Sequence, residues 1–215
     1  MKTALLDCTL RDGGYLLDKN WSEIDIRGIV GGLTNAGIDY VELGFLQDDS
    51  NGESVVFRNS KDARKYIPAE RKNTTFTVFA DCSRYNPCNL DDYDGQSFEG
   101  VRACFFKEER KEAMEMAKVV LDKGYKVFLQ PVGIMRYSHH ELLDLIDDVN
   151  ALRPHCFGIV DTFGSVYEED FDDIFSFIDR TLDKQLCLIF IRITINSYLT
   201  VCHSIFSKYR VTGVP

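Results

Sequence analysis

Short, nearly continuous apolar runs recur along this chain, each separated from the next by an amphipathic stretch or a polar loop. The runs fall at residues 4–8, 40–45, 74–80, 101–106, 126–132, 156–160 and 187–195. A run with no polar alternation suits a strand covered on both faces, as in a parallel sheet flanked by helices. The intervening stretches supply the helices. Residues 23–36 place Ile24, Ile26, Ile29, Val30 and Leu33 near helical spacing, with Ser22 as N-cap and Gly37 where a helix would stop. Further helices are expected at 60–66, ended by Pro68, and at 108–123, stopped by Gly124. Two more are expected at 138–152 and 169–182, and residues 82–97 read as a polar loop. Strand-helix alternation of this kind predicts an α/β fold on a parallel sheet.

Two closures satisfy that pattern: an open doubly wound sheet and a (β/α)8 barrel. The first strand-to-helix turn lacks G-x-G-x-x-G, and the chain has no P-loop, which removes the dinucleotide and nucleoside-triphosphate readings. Residues capable of chemistry instead follow several different strands: Arg11-Asp12, Glu42, Asp81 and Asp161-Thr162. A barrel gathers its active site from many strand ends in this way. Such a barrel needs about 250 residues. This chain has 215 and seven strand-like runs, so an incomplete TIM barrel is expected.

Composition narrows the partners. With 45% hydrophobic residues the chain can bury one sizeable core. A net charge of −9 argues against a nucleic-acid or anionic-membrane footprint. No apolar run approaches about 18 residues, so no membrane span is expected. Met1-Lys2-Thr3 leads directly into a strand rather than a signal peptide. The seven cysteines show no C-x-x-C pair, which fits reduced thiols in a cytoplasmic protein.

Among the chemical candidates, Arg11 and Asp12 follow the first strand at once. They read either as a surface ion pair or as a guanidinium that stabilises an oxyanion beside a carboxylate that binds a hard divalent ion. Gly13 and Gly14 would let the backbone fold closely around a substrate. Glu42, inside "YVELGF", is a charge in an apolar strand and needs either a structural partner or a place at the barrel mouth. Asp161-Thr162, in "GIVDTFG", repeats the pattern, with an Asx-type turn as the structural alternative. Adjacent His139 and His140 point in different directions on a helix and read as surface residues, and His155 lies at the opposite end of the strands.

"LLDCTLRDGG", "YVELGF" and "GIVDTFG", in this order, resemble the hydroxymethylglutaryl-CoA lyase-like superfamily of metal-dependent lyases, aldolases and acyltransferases. The resemblance covers roughly residues 4–187 and implies a (β/α)8 barrel with a D-x-T-L-R-D signature after its first strand. It implies Asp12 as the metal-ligating acid and Arg11 as the arginine that polarises the substrate carbonyl and its enolate. Glu42 and Asp161 would line the same mouth, Asp7 would support the first turn, and Gly13, Gly14 and Thr162 would contact substrate. Gly13 stands where the lyase and synthase branch has Glu, which is closer to the 4-hydroxy-2-oxovalerate aldolases. Tyr15 stands near the position where that branch carries a catalytic His. The implied activity is cleavage of a hydroxylated 2-oxo acid to pyruvate and an aldehyde, with Mn²⁺ or Mg²⁺ as cofactor. A Claisen-type acyl-CoA lyase or synthase, and a non-catalytic barrel that only binds a small acid or a partner, are the alternatives. Self-association into a homo-oligomer is a further expectation, because an incomplete barrel leaves an open edge.

The superfamily completes its metal site with an H-x-H pair on the seventh strand, where i and i+2 share a face. The corresponding stretch here is "LCLIFIRITIN". If residues 189–195 are coded ATT TTC ATT CGC ATA ACA ATC, reading two bases later yields Phe-His-Ser-His-Asn-Asn. The domain is therefore expected to span 1–188, with 189–215 an out-of-frame tail.

Overall fold

The computed structural model describes residues 4–164 and 166–192 of the chain. Its strands are β1 (Leu6–Asp7), β2 (Tyr40–Leu46), β3 (Val56–Phe57), β4 (Thr75–Asp81), β5 (Gly100–Phe105), β6 (Lys126–Pro131), β7 (Cys156–Asp161) and β8 (Cys187–Arg192). The sheet runs in the order β1-β2-β4-β5-β6-β7-β8, with the short β3 paired to β2 outside this path. Every ladder is parallel. The helices are α1 (Thr9–Gly14), α2 (Glu23–Ala36), α3 (Ser60–Ala63), α4 (Arg110–Asp122), α5 (His139–Leu152) and α6 (Glu168–Thr181).

Local chemistry explains where the helices begin and end. The Ser22 hydroxyl accepts from the Asp25 amide, and Gly37 closes α2 at φ 75°. Ser138 and Glu141 form a reciprocal capping box at the start of α5. The inner faces of α2, α4 and α5 bury Ile26 and Val30, Met116 and Val120, and Leu145 and Val149 against one side of the sheet.

A second, smaller cluster occupies the other side of the sheet. Tyr40, Phe128 and Cys156 are buried there, with Ala4, Leu6, Cys187 and Ile189 packed against them. β1 and β8 lie at opposite ends of the strand order, yet their side chains meet in this cluster. Among the described residues the sheet is therefore seven parallel strands curled around an interior, an incomplete barrel as the alternation implied. Gly100 makes room for this layer, since a Cβ there would stand 2.7 Å from the Phe128 ring and 2.9 Å from Thr77.

Two elements differ from the sequence reading. Residues 9–14, read as a turn, form α1, because the Asp12 amide reaches the Cys8 carbonyl at 2.8 Å and starts a helix directly after β1. β3 is too short to show any period, and β2 admits it through Gly44. That residue has φ 151°, and a Cβ there would lie 2.0 Å from the Val55 carbonyl oxygen. β8 continues through Arg192 in register with β7, Gly158 opposite Ile189 and Asp161 opposite Arg192. The rest of the expected tail, 193–215, lies outside the described residues. No helix among the described residues is long and apolar enough to cross a membrane.

Candidate active site

α1 turns the chain so that Arg11 reaches back across the inner face of the sheet. Its Nε donates to Glu42 Oε1 at 2.6 Å, and its Nη1 lies 2.6 Å from Asp12 Oδ1. Glu42, on β2, is fully buried. Its other oxygen accepts from Arg102 Nη1, on β5, at 2.5 Å. Arg102 then grips Gln130 on β6: Nε donates to Gln130 Oε1 at 2.9 Å, and Nη2 donates to the same oxygen. Arg102 Nη1 also lies 3.2 Å from Cys8 Sγ. Two arginines thus share the buried Glu42, and Arg11 also pairs with Asp12, whose side chain is 55% exposed. The Phe79 ring walls the cluster, 5.0 Å from the Arg11 guanidinium and 5.9 Å from that of Arg102.

Titration follows from this packing. Burial opposes the Arg11 charge, but Glu42 and Asp12 outweigh it and raise its pKa above the ordinary arginine value. Burial pushes the Cys8 thiol up to about 12, with Glu42 adding to the effect. Asp12 is raised as well: burial is the largest cause, Arg11 pulls the other way, and Glu42 adds to the rise.

The remaining candidates divide by place. Asp7 accepts from the Thr9 amide at 3.0 Å and the Thr9 hydroxyl at 3.1 Å, and so braces the first turn. Asp161 is buried at the end of β7, where Oδ2 accepts from the Val166 amide at 3.3 Å. The Thr162 hydroxyl accepts from the Gly133 amide at 2.9 Å and ties the loops after β6 and β7 together. Tyr15 is 59% exposed, its ring edge-on to Phe45 at 5.3 Å. Gly13 packs closely, since a Cβ there would stand 2.8 Å from the Trp21 ring, whereas one on Gly14 would make an ordinary contact with Phe45 at 3.5 Å. Outside the site, His140 is an exposed partner of Asp144, and His139 stacks on Phe177.

Arg102 and Gln130 were not singled out from the sequence, although the signal was there. Each is a polar residue in an apolar strand, "GVRACF" and "KVFLQP", the same anomaly that drew attention to Glu42.

Metal ligation was expected at Asp12. Among the described residues Asp12 belongs to no cluster of three or more metal-ligating groups, so the residues around it do not by themselves make a site for a divalent ion. Among the described residues the group that could hold one is Asp81, Cys82 and Glu109, at the end of β4 and beyond the end of β5. These side chains already have work: Asp81 Oδ1 accepts from the Ser83 amide at 3.0 Å and hydroxyl at 2.7 Å. Glu109 Oε2 accepts from the Phe106 amide at 2.9 Å and from Cys82 Sγ at 3.7 Å. Burial and Glu109 push the Cys82 thiol up to about 12, which disfavours thiolate ligation.

A curled parallel β/α sheet with Arg11 and Asp12 in the helix directly after its first strand places this chain among barrel-type α/β folds. The chain is a homologue of a curated oxaloacetate decarboxylase. That relative, from Mycobacterium tuberculosis, is 48% identical over 182 residues, covering 77% of this chain and 50% of its own. The chain thus spans about half the length of the curated relative it matches. No protein-family model matches. Among solved structures, the N-terminal domain of an aldolase candidate from Bacteroides vulgatus superposes with a TM-score of 0.67 at 16% identity, over 87% of this chain and 63% of that one. The HMG-CoA lyase of Brucella melitensis superposes with a TM-score of 0.63 at 10% identity, over 87% of this chain and 70% of that one. At these identities the two structures bear on the fold alone.

Proposed function

We propose that this chain carries the substrate-binding face of a metal-dependent carbon-carbon lyase that acts on a 2-oxo acid through its enolate. The observation that carries this reading is the Arg11 guanidinium, fixed at the strand mouth by Glu42 on Nε and Asp12 on Nη1. Breaking a bond to the carbon next to a ketone leaves an electron pair that spreads onto the ketone oxygen. A guanidinium fixed beside that oxygen stabilises the charge as it forms and needs no reorganisation. The family reading adds a divalent ion, Mn²⁺ or Mg²⁺, with Asp12 as a ligand; no step here is routed through it.

The relative's name supports decarboxylation, in which the bond to a carboxylate breaks and carbon dioxide leaves with pyruvate enolate behind. Aldol cleavage of a 4-hydroxy-2-oxo acid yields the same enolate but also needs a base for the 4-hydroxyl proton. Glu42 already has each oxygen on an arginine, and Tyr15 sits exposed on Phe45, so the site favours the reaction that needs no base. The location proposed is cytoplasmic, the ligand a small 2-oxo acid, and the assembly a homo-oligomer.

The test is pyruvate release from oxaloacetate and from 4-hydroxy-2-oxo acids by the full chain, with and without Mn²⁺ or Mg²⁺, against metal-only controls. Turnover above control that falls about 10²–10³-fold in Arg11→Met is the expected result. Release no faster than control from every substrate overturns catalysis, and pyruvate binding without turnover marks the non-catalytic barrel instead.

We also propose the domain division at 188/189, with the seventh-strand histidines encoded in the neighbouring frame. The gene's codons for residues 189–195 decide it: codons that cannot yield His-Ser-His two bases later end the idea.

A further inference from the structure

Gln130 is an anomaly within the buried network. It is 4% exposed, and its Oε1 accepts from both Nε and Nη2 of Arg102. Two donors on one atom fix the amide orientation, since a flip would set N–H against N–H. The Nε2 group is thereby committed as a donor, and it has no partner among the described residues. A buried donor left unpaired is costly and rare in native proteins.

The surroundings show where that donor points. Nε2 lies over Gly158 of β7, where a Cβ would stand 2.5 Å from it. Gln130 and Gly158 therefore face the same inner surface as Arg102 and Glu42, and the missing side chain at 158 is what lets the amide lie there. Arg102 sits beside the amide and favours a negatively charged acceptor. Glu42 is shared between Arg102 and Arg11, so the cluster favours a further anion, which the amide would receive.

We infer that Gln130 Nε2 donates to a carboxylate oxygen of the 2-oxo acid, and that Arg102 and Gly158 hold it in position to do so. The inference rests on the lyase reading above and assigns the residue that recognises the acid group.

The experiment is calorimetric titration of the full chain with pyruvate and with oxalate, alongside thermal unfolding of each variant. Gln130→Glu keeps an acceptor for Arg102 but replaces the donor with a negative oxygen. Gly158→Ala displaces the amide without changing charge. Both variants should unfold cooperatively and bind either anion at least tenfold more weakly than the parent chain. Binding within twofold of the parent in either folded variant overturns the role of Gln130 and leaves the lyase reading standing. Failure of the parent chain to bind pyruvate or oxalate overturns both. Loss of the unfolding transition in both variants makes the amide a structural group and likewise overturns the assignment.

Discussion

Replacing Arg102 with Met tests whether the buried network is one coupled unit. Arg102 is 3% exposed at its side chain and Glu42 is 0% exposed, so solvent screening does not soften the exchange. Met keeps much of the volume but removes the 2.5 Å bond to Glu42 and both bonds to Gln130. Glu42 is left buried with Arg11 as its remaining partner in the network. Breaking a buried pair in this way costs about 3–5 kcal/mol. For a chain of this size each kcal/mol shifts Tm by about 2–4 °C, so a fall of about 6–20 °C is expected. Urea unfolding followed by circular dichroism supplies the free energies. The double variant Glu42→Gln, Arg102→Met removes the stranded charge and should cost less than the sum of the single changes by at least about 1 kcal/mol. Additivity within about 0.5 kcal/mol would refute the coupling.

Two further predictions concern titration. Burial, with Lys126 adding to it, lowers the His155 pKa from 6.5 to about 4. The unfolded chain then binds the proton more readily, so stability should fall as pH drops from about 6.5 toward 4 and be fully present above that window. His155→Phe should flatten this part of the profile in unfolding measurements, and an unchanged profile would remove His155 as its source. Among the described cysteines, burial pushes Cys8, Cys82 and Cys104 up to about 12, while Cys88 is exposed. Peptide mapping after brief alkylation at pH 8 should find Cys88 modified before Cys8, Cys82 and Cys104, and faster labelling of Cys8 would contradict its burial.

Much of the fold was legible because its determinants are local. Ser22 and Gly37 bound α2, and Ser138 with Glu141 starts α5, through hydrogen bonds that span only a few residues. Unbroken apolar runs announced strands covered on both faces, and their alternation with helices implied a parallel sheet. β3 escaped because two residues carry no period, and α1 escaped because its two glycines read as a turn. Those glycines were expected to open space for substrate. In the structure the Trp21 ring lies where a Cβ on Gly13 would stand.

By itself the sequence determined that Arg11, Glu42 and Arg102 stand in or just after apolar strands, where a charge cannot remain without a partner. It could not determine which partner. Arg11 meets Glu42 from 31 positions away, Arg102 meets Glu42 from 60, and Arg102 meets Cys8 from 94. Those encounters depend on parallel register and on how far the sheet curls, which no local interaction sets. Only the tertiary structure decided that Glu42 is shared between two arginines, and that the amide of Gln130 lies over Gly158 with a hydrogen still to give.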